Sequence, residues 1–317
     1  MPPMPTTLVY THAACLDHQP GADHPESPER LRAVLRALKA PEFAALEWRD
    51  APPGTLDQVQ LVHTPDFVDD IARAVPQRGR VAPDAGDTVM SPGSWEAVMR
   101  CVGAACAGVD AVMSDAARNV FCATRPCGHH AEPDRAMGFC IFNQAAIAAA
   151  YACDAYGVER VAVVDFDVHH GNGTQRAFLS RPGLLYASSH QWPLYPGTGA
   201  ASETGPNHNI VNVPLGRGCD SAQFRARMTA DLLPAVRDFG PQLLIVSAGF
   251  DAHRLDPLAG LSLEDDDFGW ITQELVQIAD AACDGRIVSI LEGGYSLDGL
   301  ASGAAAHVRA LMGAPAR

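Results

Sequence analysis

Seven short apolar runs punctuate the chain, at 7–10 (TLVY), 119–123 (NVFCA), 160–166 (RVAVVDF), 184–189 (LLYASS), 210–215 (IVNVPL), 242–250 (QLLIVSAGF) and 286–294 (RIVSILEGG). Within each, hydrophobic residues follow one another instead of alternating with polar ones. A strand with one face in water alternates, whereas a strand covered on both faces does not, so these runs predict buried strands of a mainly parallel sheet. Segments of helical character lie between most of them, at 25–38, 91–113, 143–157, 221–240 and 263–285. That order predicts a doubly wound α/β fold, a mainly parallel sheet flanked by helices. No internal repeat or low-complexity linker interrupts it, and a single domain over 1–317 is expected. The Pro- and Gly-rich stretches 50–54, 76–86 and 191–206 read as surface loops. The acidic cluster Glu264–Asp267 reads as the solvated first turn of a helix, where carboxylates oppose the helix dipole.

The polar residues depart from this pattern at particular places. In open α/β sheets the functional crevice lies beyond the carboxyl ends of the strands. The run at 119–123 leads into R-P-C-G-H-H with His129 and His130; the run at 160–166 leads into D-F-D-V-H-H-G-N-G; the run at 242–250 ends at Asp251; and the run at 286–294 leads to Tyr295. Period-two alternation places Asp165, Asp167 and His169 on one strand face. Two carboxylates and an imidazole crowded together call for a cation, because buried charges persist only when paired or metal-bound. Asp167, His169 and Asp251 would supply three ligands of O, N, O type and leave a position open, the pattern of a catalytic zinc site as opposed to a closed structural one.

Composition narrows the partners. Lys and Arg number 23 against 37 Asp and Glu, a formal net charge of −14 without long blocks of either sign, which argues against a nucleic-acid backbone as partner. The nine cysteines are odd in number, scattered and free of any C-x-x-C pair, as expected of reduced thiols in the cytoplasm. The alanine-rich run 145–152 is far too short to span a bilayer, and the first ten residues lack a basic region followed by a long apolar one, so no membrane role is expected. A homo-oligomer is compatible with the sequence, which does not fix the number of copies.

R-P-C-G-H-H, D-F-D-V-H-H-G-N-G, A-G-F-D-A-H-R-L-D-P-L and L-E-G-G-Y-S-L together resemble the histone deacetylase superfamily, including its bacterial histone-deacetylase-like amidohydrolases and acetylpolyamine amidohydrolases. The likeness runs from His24 past Tyr295 and implies the arginase/deacetylase-like version of the α/β fold. It implies zinc on Asp167, His169 and Asp251, with Fe2+ or Co2+ as substitutes; a catalytic pair at His129 and His130; an oxyanion donor at Tyr295; and carboxylate support for the first histidine from Asp165. Asp87 matches the rim aspartate that grips substrate backbone, and Gly138 and Phe139 match one wall of an acyl-lysine tunnel. Tyr195 stands on the opposite wall where phenylalanine is usual. The resemblance further implies potassium near Asp165, Asp167, His169, Ser188 and Ser189, and a second ion near Phe178, Arg181, Leu184 and Asn209.

Two departures carry information. Asn172 stands where one branch of the family has aspartate, which resembles the class II branch; an amide orients His130 but lends it no negative charge, so His130 should lose its proton more readily than His129. Leu258 stands where polyamine-selective relatives place a glutamate. The implied activity is removal of acetyl or other acyl groups from a lysine-like amine, on a peptide, a protein or a small molecule, by metal-activated water. An acetylpolyamine amidohydrolase and a catalytically silent acyl-lysine or metabolite-binding module are the alternatives. His12, His18 and His24 are expected in the N-terminal loop, His190 and His253 next to the site, His170 and Cys140 in packing roles, and loops 12–25, 76–92 and 191–206 around the tunnel.

Overall fold

The computed structural model describes residues 7–313. Its strands are β1 (Thr7–Thr11), β2 (Glu47–Asp50), β3 (Asn119–Cys122), β4 (Val161–Asp165), β5 (Leu184–Gln191), β6 (Ile210–Leu215), β7 (Leu243–Ala248) and β8 (Ile287–Leu291). They form one sheet in the order β2-β1-β3-β8-β7-β4-β5-β6, and every neighbouring pair is parallel. The helices are α1 (Pro28–Ala37), α2 (Leu56–Gln60), α3 (Pro65–Ala74), α4 (Ser94–Met113), α5 (Gln144–Tyr156), α6 (Asn172–Phe178), α7 (Ser221–Arg227), α8 (Leu233–Phe239), α9 (Asp265–Ala282) and α10 (Leu297–Leu311). Among the described residues no helix is long and apolar enough to cross a membrane.

The continuous hydrophobicity of the strands has a direct cause. In β4, Val161 and Val163 join one core with α4 and α5 residues, while Ala162 and Val164 join the other with residues of α1, α9 and α10. β7 divides in the same way, Leu243 and Ile245 against Leu244 and Val246. Each buried valine, leucine or isoleucine contributes roughly 1.5–3 kcal/mol, so a polar residue on either face would forfeit that and add a desolvation cost.

Three differences from the sequence reading have physical reasons. β2 (EWRD) carries no apolar run because all four residues are exposed on the sheet edge, where only β1 pairs with it. The helix expected over 221–240 is interrupted by a π-helical turn at Met228–Leu232 just ahead of Pro234, which lacks an amide proton and whose ring clashes with the carbonyl one turn back. The acidic start of α9 is a helix start but not wholly solvated: Asp267 is buried and bound by Arg225 Nε at 2.7 Å and by the Ser221 hydroxyl.

The sheet order places the chemistry. β3, β8, β7 and β4 are consecutive neighbours, and these are the strands whose carboxyl ends lead to the histidine pair, Tyr295, Asp251 and the D-F-D-V-H-H segment. The chain crosses from one half of the sheet to the other between β3 and β4, and a crevice opens where such strand order reverses.

Candidate active site and metal centre

β4 ends at Asp165, so Asp167 and His169 do not share its face; they lie on the loop that follows. Short side chains reaching back to the backbone create the convergence instead. Asp165 Oδ1 accepts the Asp167 amide at 3.1 Å and Asp167 Oδ1 accepts the His169 amide at 2.9 Å, two successive turns of the kind aspartate favours. Asp251, just past β7, accepts the Val168 amide at 2.8 Å, and Asp167 Oδ2 accepts the Gly293 amide at 2.8 Å. Gly293 has to be glycine, because a Cβ there would sit 2.2 Å from Asp251 Oδ2 and 2.5 Å from Asp167 Oδ2.

Each of Asp167, His169 and Asp251 offers a ligand atom within 4.8 Å of the others, and all three are buried. His169 Nδ1 lies 3.2 Å from Asp167 Oδ1 and 3.1 Å from Asp251 Oδ2. The donor set fits a divalent cation: burial opposes the charge on His169, yet the two carboxylates outweigh it and raise the imidazole to about 10, while burial and Asp167 push Asp251 up to about 7. Positive charge is drawn to this point, and three O/N donors leave room for an exchangeable ligand on a bound ion.

The histidine pair lies alongside, rings 4.0 Å apart. His129 Nδ1 meets Asp165 Oδ2 at 3.0 Å, and the same oxygen accepts the Tyr186 hydroxyl at 3.0 Å. Burial works against a charged His129, but Asp167 and Asp165 outweigh it and hold its pKa well above the ordinary value. His130 Nδ1 meets Asn172 Oδ1 at 2.9 Å; burial first, then the charges of His129 and His169, hold its pKa well below the ordinary value. The expected contrast between the two histidines is present.

Glu132 was not singled out from the sequence, although it stands two residues past His130. The Asn172 amide nitrogen donates to Glu132 Oε1 at 2.8 Å, and Arg176 pairs with the other carboxylate oxygen. A carboxylate can only accept there, so Glu132 fixes which end of Asn172 faces His130. Asn172 Oδ1 then takes the Nδ1 proton and leaves the Nε2 lone pair of His130 free. Glu292, Asp256 and Arg30 were also passed over. Glu292 accepts the Gly128 and His129 amides at 2.7 and 3.2 Å, Asp256 accepts the Tyr295 amide at 2.7 Å, and Arg30 donates to the Gly294 and Glu292 carbonyls with its guanidinium 4.9 Å from the Tyr295 ring centre. Glu292 and Asp256 stand inside quoted motifs and Arg30 inside H-P-E-S-P-E-R-L (24–31), where the likeness begins, so proximity in sequence was the available signal; that Arg30 meets Gly294, 264 residues on, only the fold shows.

At the mouth, Phe139 packs edge-on against Tyr295 at 5.8 Å and against His24 at 4.7 Å, and Tyr195 stands perpendicular to His130 at 5.0 Å. Asp84, Gly86, Asp87, Arg135, Ala136, Met137 and Tyr195 line a cavity of about 370 Å³, joining loops 76–92 and 191–206. Leu258 is exposed. His24 reaches the Asp87 carbonyl at 2.9 Å and so belongs to the rim, whereas His18 is buried against Glu26 and Ser94, and His12 caps a short 3-10 turn at Ala13–Leu16. His170 is held by Thr198 and Gln175, His190 by Ser188 and the Gly199 carbonyl, and His253 faces Asp265 at the start of α9. Ser188 is the register partner of Asp165 on β5, and Ser189 follows it, buried. The Phe178, Arg181 and Leu184 carbonyls converge on the Asn209 amide nitrogen at 2.9, 3.2 and 2.8 Å.

The histone deacetylase domain model matches residues 24–311. The chain is a member of the histone deacetylase family. An uncharacterized protein of Synechocystis sp. is 41% identical over 309 residues, 96% of this chain and 99% of that one. A histone deacetylase-like amidohydrolase of Pseudomonas aeruginosa is 38% identical over 286 residues, covering 87% of this chain and 73% of the relative. The crystal structure of the HDA15 HD domain superposes with a TM-score of 0.90 at 35% identity, covering 98% of this chain and 89% of that one. Histone deacetylase family membership supports hydrolysis of an acylated amine and a metal-dependent site.

Proposed function

We propose that this deacetylase is a zinc-dependent hydrolase that removes acetyl or related acyl groups from lysine side chains of peptides or proteins. One observation carries the reading: two carboxylates and an imidazole, all buried and within 4.8 Å of one another, sit beside a histidine pair whose members have opposite pKa displacements. Zinc held by Asp167, His169 and Asp251 would supply Lewis-acid polarisation of the acyl carbonyl and acidify a water, with Fe2+ or Co2+ able to take its place. His130, proton on Nδ1 and lone pair on Nε2, takes the water proton and later returns it to the leaving amine. His129, paired with Asp165, contributes positive charge at the same point. Tyr295, whose hydroxyl burial raises well above its ordinary pKa, stays protonated and donates to the developing oxyanion. Gly138 and Phe139 on one side and Tyr195 on the other flank the acyl-lysine stem, and Asp87 at the rim accepts substrate backbone N–H groups.

The first potassium position, at Asp165, Asp167, His169, Ser188 and Ser189, is retained in this reading, because β4 and β5 register brings the segments together. The second is retained as well: the Phe178, Arg181 and Leu184 carbonyls converge beside Asn209, whose amide has two protons for three oxygens and whose own buried oxygen has no hydrogen-bond partner. Two potassium ions per chain by elemental analysis are expected, and one or none would remove a position.

An acetylpolyamine substrate is the second reading, favoured by one observation: Asp84 and Asp87 together line the mouth cavity and could meet a distal ammonium. The decisive experiment runs zinc-loaded protein on acetylated, longer-acylated and trifluoroacetylated lysine peptides beside acetylpolyamines, with a hydroxamate inhibitor as control. Faster, hydroxamate-sensitive turnover of the peptides is expected. Preference for polyamines selects the second reading, and no turnover of any substrate by fully metallated protein makes the chain a silent acyl-lysine or metabolite-binding module.

A further inference from the structure

Two buried thiols pack with Ala131 next to the histidine pair, and the hydrolysis does not use them. Cys127 precedes His129 by two residues in R-P-C-G-H-H, and Cys140 follows the wall residues Gly138 and Phe139. The Cys140 Sγ donates to the Cys127 Sγ at 3.4 Å, and both side chains are almost fully enclosed. Cys127, Cys140 and Glu292 also satisfy the spacing of a metal site, with ligand atoms within 4.8 Å. Glu292 is already committed, however, to the Gly128 and His129 amides and to Ser247. The remaining chemistry is that of the sulfur pair. Arg30, a buried guanidinium, lies within electrostatic range of Cys127.

We propose that Cys127 and Cys140 form a reversible oxidation site that responds to peroxide and switches the hydrolase off. The Cys127 thiolate attacks one oxygen of the peroxide, breaking the O–O bond to give a sulfenic acid and hydroxide. The Cys140 sulfur then displaces the sulfenic oxygen, and the disulfide forms. With hydrogen peroxide the balance is two thiols and one peroxide to one disulfide and two waters, the two electrons passing from sulfur to oxygen. A dithiol reverses it by exchange.

Inactivation follows from the packing. Bond formation draws the sulfurs from 3.4 Å to about 2.05 Å, pulling segment 138–140 toward segment 127–130. There is no slack between them: a Cβ on Gly138 would already lie 2.5 Å from His130 Cδ2 and 3.0 Å from Tyr195 Cε1. Displacing a catalytic group by about 1 Å can cost roughly a hundredfold in rate. Cys15 and Cys101 form a second thiol pair, joining the turn at 13–16 to α4, and serve as an internal comparison.

The test uses the full zinc-loaded chain, exposed to graded hydrogen peroxide, quenched with a thiol-blocking reagent and mapped by peptide mass spectrometry, with deacetylation and zinc content measured in parallel. Expected are a Cys127–Cys140 crosslink, a loss of turnover of about tenfold or more with zinc retained, and recovery with dithiothreitol. Cys127→Ala and, as a second variant should that one fold poorly, Cys140→Ala should keep their activity in peroxide. A crosslink confined to Cys15–Cys101, both thiols surviving the dose that abolishes activity, equal inactivation of the variants, or a second zinc equivalent lost on Cys127→Ala would each overturn the proposal. The activity arm rests on the proposed deacetylase function while the mapping arm does not: a crosslink in a protein inactive on every substrate would refute the function and leave the oxidation site standing.

Discussion

His129 and His130 are adjacent in sequence, with rings 4.0 Å apart, yet they stand in two different environments. His129 faces the strand interior, where Asp165 is locked by the Asp167 amide and the Tyr186 hydroxyl. His130 faces the loop and helix side, where a neutral amide, Asn172, intervenes between the ring and the Glu132 carboxylate. Burial pushes both imidazoles toward neutrality, and only the carboxylates on the His129 side overcome it. The fold thus displaces two adjacent histidines in opposite directions, the separation that the proposed electrostatic partner and base require.

The largest test of this contrast removes the proposed metal centre beside both histidines. Outer partners of metal ligands alone are worth roughly 10–100-fold, so Asp251→Ala should lose more than about a hundredfold of activity together with the metal; full metal content by elemental analysis would refute the ligation. Tyr295→Phe should lower turnover by about 10² to 10³ while metal and fold are retained, and activity within a few-fold of the parent would remove the tyrosine from the mechanism. The two sides are compared directly by Asp165→Asn and Asn172→Ala. Both replace a partner, and the first should fall near the hundredfold end and the second near the tenfold end, because Asp165 also holds the Asp167 loop. Equal effects would mean that the carboxylate gives His129 no special standing.

Asn172→Asp sharpens the contrast by sign. A negative charge beside His130 favours its imidazolium, raises its pKa and moves the acidic limb of the kcat/KM profile to higher pH. An unmoved limb in the pH profile would show that His130 is not the group titrating there. The last test reads stability, not activity, and lies behind the His130 side, where His63 Nδ1 meets the Glu132 carbonyl at 3.0 Å and Nε2 accepts the Asn143 amide at 2.9 Å. Burial lowers His63 to about 4. Above about pH 6.5 the ring is neutral folded and unfolded and stability is unaffected; as pH falls from there to about 4 the unfolded chain binds the proton first, so stability is lost across that window, by up to about 3 kcal/mol. Denaturant unfolding at both ends of the window should show a shallower acid loss in His63→Gln, and an unchanged slope would assign the loss to other groups.

The sheet was legible because its strands are covered on both faces and therefore read as apolar runs, while β2 was invisible because an exposed edge strand needs no hydrophobic residue. The candidate metal ligands were legible because aspartate and histidine at the end of a hydrophobic strand have few structural reasons to be there. The reason first given for their convergence, alternation along a strand, was the wrong one. β4 stops at Asp165, and carboxylate-to-amide turns gather Asp167 and His169.

By itself, the sequence determined the class of fold, the four strand ends that carry chemistry and the residue types available there, because burial and ligand chemistry act on each residue locally. Tertiary structure alone decided which of those ends are neighbours, through the order β3-β8-β7-β4. It also decided that Glu132 orients Asn172, that three carbonyls converge beside Asn209, and that Cys127 meets Cys140 across 13 residues. Those outcomes depend on distances between segments that only the closed chain sets, and a hydrogen bond or a sulfur contact is made or lost within an ångström.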